Sequence, residues 1–202
     1  MSRTSRISRT TAHRHDDRIR RVLLDRLGAS FGPDAVIVSE LGILEGRSRV
    51  DVACVHDRLD DYEIKSAADA IDRRLEWQVA AYSRVLDRAT LVVAEGKLQT
   101  ALRKVPDWWS VLVVPGGDRQ GTLEVFRQGT DNPWPEPLAI AQLLWRDEAL
   151  RLLRERGAAR GLSRRPRRML WERLCEELTL DELRLAVRRF LWRRFASTQT
   201  QE

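Results

Sequence analysis

Cysteine is scarce in this sequence. Its 202 residues include only Cys54 and Cys175, too few for a disulfide framework. Cys54 falls in an apolar strand pattern and reads as a small core residue. No apolar run approaches the ~20 residues that a membrane-spanning helix needs. The first residues are rich in Arg, Ser and Thr, with no hydrophobic stretch directly after them, so no secretory signal is expected and the cytoplasm is the expected compartment. There is no Gly-rich phosphate loop and no internal repeat. Lysine is nearly missing too: of 36 basic residues, only Lys65, Lys97 and Lys104 are lysine. A chain that otherwise uses arginine for its cations has a reason for a lysine inside an apolar strand, and Lys65 is that lysine.

What is present is an ordinary globular composition, 43% hydrophobic and 33% charged, in a chain long enough for one domain and an appendage. The net charge of +6 is unevenly spread. Residues 1–30 hold eight Arg against three Asp, residues 31–145 hold thirteen basic against eighteen acidic side chains, and residues 146–194 hold fifteen Arg against eight acids. Basic flanks suit a phosphate-rich partner, and an acidic centre suits a divalent cation.

The pattern of apolar residues divides the chain. Residues 1–15 read as a disordered basic tail that contains His13 and His15. Asp16 or Asp17 can cap a helix with Ile19, Val22, Leu23 and Leu27 on one face, ended by Gly28. Strands are expected at 34–38, 49–56 and 62–66, with Gly42 and Gly46 bracketing the first turn and HDRLDD forming the second. Their short connections predict an antiparallel meander. A helix is expected over 68–86, an apolar strand at 89–94, a helix at 96–104, and strands at 110–114 and 121–127 with Gly116 and Gly117 between them. This order predicts an α/β fold, a mixed central sheet flanked by helices. The core is expected over 16–128, a Pro-rich linker over 129–137, an Arg-rich region of three helices over 138–196 and a tail over 197–202. Trp108 and Trp109 are expected to pack on the sheet, and Trp171 and Trp192 on the apolar faces of the last helices.

The chemistry concentrates on the third strand. Side chains alternate faces along a strand, so Glu63 and Lys65 share one face. Asp51 lies on the preceding strand, whose opposed side chains should stand about 5 Å away. Two carboxylates and an ammonium then converge. Phosphodiester hydrolysis uses such a set: hard oxygens hold Mg²⁺ or Mn²⁺, and a lysine positions or deprotonates water or stabilises charge on the phosphate. A strand-edge lysine beside a metal would add little to folding. Four residues apart on the next helix, Gln78 and Tyr82 share a face.

RVDVACV, then YEIKS, then an amphipathic helix, then LVVA, resembles the PD-(D/E)XK nuclease superfamily. Gln78 and Tyr82 resemble the Q-x-x-x-Y motif of its RecB-type and lambda-exonuclease branch. Val50 stands where the family often has proline. Glu40–Gly42, Arg49–Asp51, Glu63–Ser66, Asp69 and Pro106–Trp109 together resemble a small bacterial and phage family within it. The resemblance implies a restriction-endonuclease-like sheet and a DNA nuclease with Asp51, Glu63 and Lys65 as catalytic residues, assisted by Gln78 and Tyr82. It implies Mg²⁺, with Mn²⁺ able to substitute, held by Asp51, Glu63, Ile64 and Glu40. Asp17 and Asp25 compete with Glu40 as the further acid. Many relatives are dimers, so a homodimer is a natural expectation. Arg49 either meets phosphate or pairs with an acid across the hairpin. Arg164, Arg165, Arg167 and Arg168 are candidates for the DNA backbone. Ser66 and Asp69 can shape the helix start.

Two other readings use the same residues. One is a nucleic-acid-binding module that keeps the fold without turnover. The other is a protein-interaction factor whose Arg-rich helices meet an acidic partner.

Overall fold

A computed structural model describes residues 4–116 and 122–199, with side chains described over 17–116 and 122–196. The chain runs α1 (Thr4–Phe31), β1 (Val36–Ile43), β2 (Ser48–Val55), β3 (Leu59–Lys65), α2 (Arg73–Tyr82), β4 (Arg88–Ala94), α3 (Leu98–Leu102), β5 (Ser110–Val114), β6 (Glu124–Arg127), α4 (Pro137–Ala141), α5 (Arg146–Glu155), α6 (Arg167–Glu177) and α7 (Leu180–Gln199). The six strands form one sheet in the order of the chain. β1, β2 and β3 pair antiparallel, β3, β4 and β5 pair parallel, and β6 returns antiparallel. The architecture is a mixed α/β sheet flanked by helices, with a helical C-terminal region.

Each face of the sheet has its own apolar cluster. On one face, Ile19, Leu23 and Leu27 of α1 cover Val52, Cys54, Tyr62, Ile64, Val92 and Leu112. These helix residues recur at spacings of four, which gives the stripe that a sheet face needs. On the other face, Leu75 and Tyr82 of α2 join Leu91 and Val93 of β4, Trp109 and Leu150, Leu170 and Leu191 of the C-terminal helices in one larger cluster.

Several boundaries differ from expectation. α1 begins at Thr4, upstream of Asp16 and Asp17, and continues through Gly28 to Phe31. It stops where Gly32 takes a φ of 67° and Pro33 follows, a conformation that glycine adopts without a Cβ clash. Gly42 is inside β1, paired with Arg49, so the first turn is the shorter segment 44–47. Leu59–Asp61 are strand, not turn. α2 begins only at Arg73, where the Asp72 carboxylate accepts the Arg74 N–H at 2.8 Å. The expected caps Ser66 and Asp69 instead close a turn after β3: Asp69 accepts from the Ser66 N–H and Oγ–H at 2.7 and 2.6 Å. Gly117 lies outside the described residues.

The Pro-rich segment is strapped to the core. Asn132 Nδ2 donates to the Ser83 and Leu86 carbonyls, each at 2.7 Å. A Cβ on Gly129 would stand 2.3 Å from the Trp108 carbonyl oxygen, so only glycine fits there. Four helices follow where three were expected. Trp108, Trp109 and Trp171 are buried as expected, whereas Trp192 is 43% exposed and donates its indole N–H to the Asp34 carbonyl at 3.0 Å.

One irregularity positions the site. Val36, Val38, Leu41 and Ile43 of β1 all face the larger cluster, so the alternation changes phase between Val38 and Leu41. Glu40 sits at the change with a φ of 59°, uncommon for a side chain larger than glycine. β2 changes phase opposite it: Val50, Ala53 and Val55 belong to the larger cluster, Val52 and Cys54 to the other. Asp51 stands at that break.

Candidate active site

The break leaves Asp51 half-buried, committed to neither face. Its Oδ2 accepts the Ile64 N–H at 2.8 Å, and its carbonyl accepts from Arg20 of α1 at 2.8 Å. On β3, Glu63 and Lys65 share the face beneath α2, and both are buried. Lys65 Nζ donates to Glu63 Oε1 in a short contact and to Gln78 Oε1 at 3.2 Å. Tyr82 donates to Glu63 Oε2, 2.7 Å away, and the Arg49 carbonyl stands the same distance from its hydroxyl. Gln78 Nε2 reaches the Tyr82 hydroxyl at 3.3 Å. The Tyr82 ring is held in turn by stacking parallel to Trp109, with centroids 5.9 Å apart. One connected network therefore joins Glu63, Lys65, Gln78 and Tyr82, with Asp51 beside it.

The electrostatics follow from burial. Desolvation raises the Asp51 carboxyl above the usual carboxylate range, against the Ile64 N–H and the Lys65 charge. Glu63 is raised by desolvation and by Asp51, against Lys65 and Tyr82. Tyr82 is raised by burial and then by the Asp61, Glu63 and Asp51 carboxylates. Carboxylates crowded in a dry site repel one another and favour any cation among them.

The side chains of the remaining expected residues stand apart from this network. Glu40 is at the rim, its side chain 48% exposed and 3.4 Å from both Arg20 and Arg49. Arg49 thus pairs with an acid across the hairpin. The Ile64 side chain packs under α1, and its backbone is part of the sheet. Asp17 and Asp25 are exposed, so among the described side chains α1 sends Arg20 toward Asp51 rather than an acid. Arg164 and Arg165 are exposed before α6. Arg167 pairs with Glu45 at 2.6 Å, and Arg168 with Glu172 at 2.8 Å. His13 and His15 lie outside the described side chains.

Residues 9–201 match the family described as bacteriophage P4 protein cII. The chain belongs to that family. The match runs through the sheet and the C-terminal helices alike. Among solved structures, the chain is similar to the SPO1766 protein of unknown function from Silicibacter pomeroyi, at 19% identity, with a TM-score of 0.36, over 66% of this chain and 86% of that one. That likeness is too slight to bear on fold or function. No curated protein matches the chain. Neither description names an activity.

Asp61 was not anticipated. It shares the β3 face with Glu63 and Lys65, is wholly buried, and neither of its oxygens has a hydrogen-bond partner among the described residues. Burial, then Glu63 and Asp51, hold its carboxyl well above the usual range. Its register neighbours are Ala53 and Ala89, the smallest side chains that could flank it. The sequence carried the signal, because extending the expected strand back by one residue puts Asp61 on the face of Glu63. On the other face, His56 Nε2 stands 3.0 Å from Asp60 Oδ2. Burial lowers the His56 pKa, but the contacts with Asp60 and Asp57 outweigh it and the net shift is upward.

The donor set can be compared with a divalent ion. Among the described residues, no group of three or more His, Cys, Asp or Glu side chains stands arranged to hold a metal. The chemistry of the donors nonetheless suits a hard cation. Asp51 Oδ1 has no hydrogen-bond partner among the described residues, Glu63 is compensated by a lysine ammonium, and the two Asp61 oxygens, also without a hydrogen bond among the described residues, lie on the same strand face as Glu63.

Proposed function

We propose that this protein is a Mg²⁺-dependent DNA nuclease of the PD-(D/E)XK type. The observation that carries the reading is the Glu63–Lys65 contact on β3, with Tyr82 on the other oxygen of Glu63 and Asp51 beside them. A saturated structural ion pair has no need of a second carboxylate and a tyrosine in the same space. Asp51 and Glu63, with the Ile64 carbonyl, would hold the cation, and Mn²⁺ could substitute. When bound, the cation supplies Lewis-acid polarisation of the scissile phosphate.

The other steps belong to the chain itself. Lys65 brings a proton donor and a positive charge to the attacked phosphate. Gln78 holds the Lys65 ammonium from the α2 side. Tyr82 fixes the carboxylate plane of Glu63. Arg49 is 66% exposed on its side chain, at the rim where a phosphate would enter. Glu40 is the weakest member of the ligand set, since two arginines already hold it. A cytoplasmic site of action in a phage or mobile element, and a homodimer, belong to the same proposal.

The deciding experiment incubates purified protein with linear, circular and single-stranded DNA, in Mg²⁺, Mn²⁺ or EDTA. Cleavage that needs the metal and is lost in Lys65→Ala and Asp51→Asn is the expected result. Full activity in either folded variant would remove the site assignment. Salt-sensitive binding without cleavage would favour a binding module that keeps the fold without turnover.

A further inference from the structure

The backbone of Arg49 touches the site through Tyr82, and the chain leads back from it into the 44–47 turn. There Arg47 lines a cavity of about 250 Å³ with Trp77, Arg84 and Gln142. Gln142 also lines a second cavity of about 350 Å³, with Trp145, Arg146, Arg167 and Arg194. Gln142 borders both, so the two cavities are neighbours and mark a groove between Trp77 of α2 and the start of α5.

Two large indoles open onto this groove where an ordinary core would bury them. Trp77 is 49% exposed and Trp145 is 63% exposed. Trp145 has a fixed backing: the Arg194 guanidinium lies 4.1 Å from its ring centroid and is itself held by Glu148 and the Leu143 carbonyl. One face of the indole is thus braced. Beyond it, Arg146 donates to the Ser163 carbonyl, which ties the loop carrying exposed Arg164 and Arg165 to the far end of the groove. The exposed pairs Arg84–Glu136 and Arg146–Asp147 are weak in water and can give way to phosphate.

Alternating indoles and arginines suit a strand whose bases are free to stack and whose phosphates follow a basic line. Bases inside a duplex already stack on one another. We propose that the groove takes a single-stranded polynucleotide, with Trp77 and Trp145 as stacking platforms and Arg47, Arg146, Arg164 and Arg165 along its phosphates. The inference rests on the nuclease reading for which end of the strand enters the site, but its binding chemistry stands apart from that reading.

The test uses the full chain in EDTA and a fluorescein-labelled oligothymidylate followed by anisotropy. The Trp77→Ala/Trp145→Ala variant is expected to lose about tenfold or more in affinity. Trp134→Ala, which removes a 61% exposed indole outside both cavities, is expected to bind as the unaltered protein does. Arg164→Glu/Arg165→Glu should weaken binding and flatten its salt dependence. This pair is wholly on the surface and carries the test if the indole variant fails to fold. Competition by unlabelled oligothymidylate or oligouridylate supports the proposal, and the tighter competitor identifies the strand. Unchanged affinity in both folded variants, or an equal loss for a blunt duplex, overturns it. If the unaltered protein cleaves no DNA in Mg²⁺ or Mn²⁺ while the indole variant loses single-strand binding, the nuclease reading fails and the groove assignment survives.

Discussion

Two buried acidic groups lie close to strand β3, and they are treated differently. Asp87 accepts the Leu59 N–H at 2.8 Å and pairs with Arg184 at 2.9 Å and Arg188 at 3.2 Å. Both of its oxygens thus have a cation beside them, and Oδ2 accepts hydrogen bonds from Leu59 and Arg188. Farther along the strand, Lys65 pairs with Glu63 and stands near Asp51 and Asp61, and neither Asp61 oxygen has a hydrogen-bond partner among the described residues. Buried polar groups that serve only the fold are normally satisfied. The Asp87 carboxylate follows that rule and joins α7 to the sheet, although Arg184 Nε has no hydrogen bond among the described residues. The Glu63 group departs from it, as sites kept for chemistry do.

The contrast can be broken at several points. Asp87→Ala leaves two arginines facing each other with little solvent. A loss of about 3 kcal/mol is expected in urea unfolding, and a stability near that of the unaltered protein would show that the cluster contributes nothing to the fold. Lys65→Ala should cut metal-dependent cleavage by about a hundredfold or more. It should also lower the melting temperature, because Lys65 is buried against Glu63 and is not the strand-edge cation the sequence suggested. A folded variant with unchanged melting would mean that Glu63 does not need its partner.

Asp61→Asn sharpens the comparison in the opposite direction. Because the folded pKa of Asp61 lies above its unfolded value, the proton-bound form is stabilised. Its contribution is fully present below the unfolded pKa, about 4, and is lost as pH rises through the folded pKa. The unaltered protein should therefore weaken relative to Asp61→Asn as pH rises above about 4. Parallel stability curves across pH would mean that Asp61 is solvated. Least of all, Glu136→Ala removes an exposed partner of Arg84 and should change stability by less than about 1 kcal/mol.

Much of the site was legible because strand parity is a strict rule. Glu63 and Lys65 had to share a face, and the four-residue spacing had to bring Gln78 and Tyr82 together on α2. Asp61 was lost because HDRLDD is polar enough to resemble a turn, although Leu59, Asp60 and Asp61 are all buried in strand. Arg20 was lost for another reason. Its contact with Asp51 depends on the phase change at Glu40, a backbone event that no residue pattern announces in a sequence whose glycine stands two places later. The fold class was legible from the order of periodicities. The extent of α1 and the start of α2 were not, because Gly28 has room to stay helical and Asp72, rather than Ser66 or Asp69, supplies the cap.

The apolar cluster that runs from β4 through Tyr82 and Trp109 into Leu150, Leu170 and Leu191 also bears on how such a chain can diversify. Severing it near residue 128 would uncover hydrophobic side chains on both pieces. Recombination cannot then exchange the arginine-rich half as a cassette. The two halves must drift together, each substitution in one screened by its neighbours in the other.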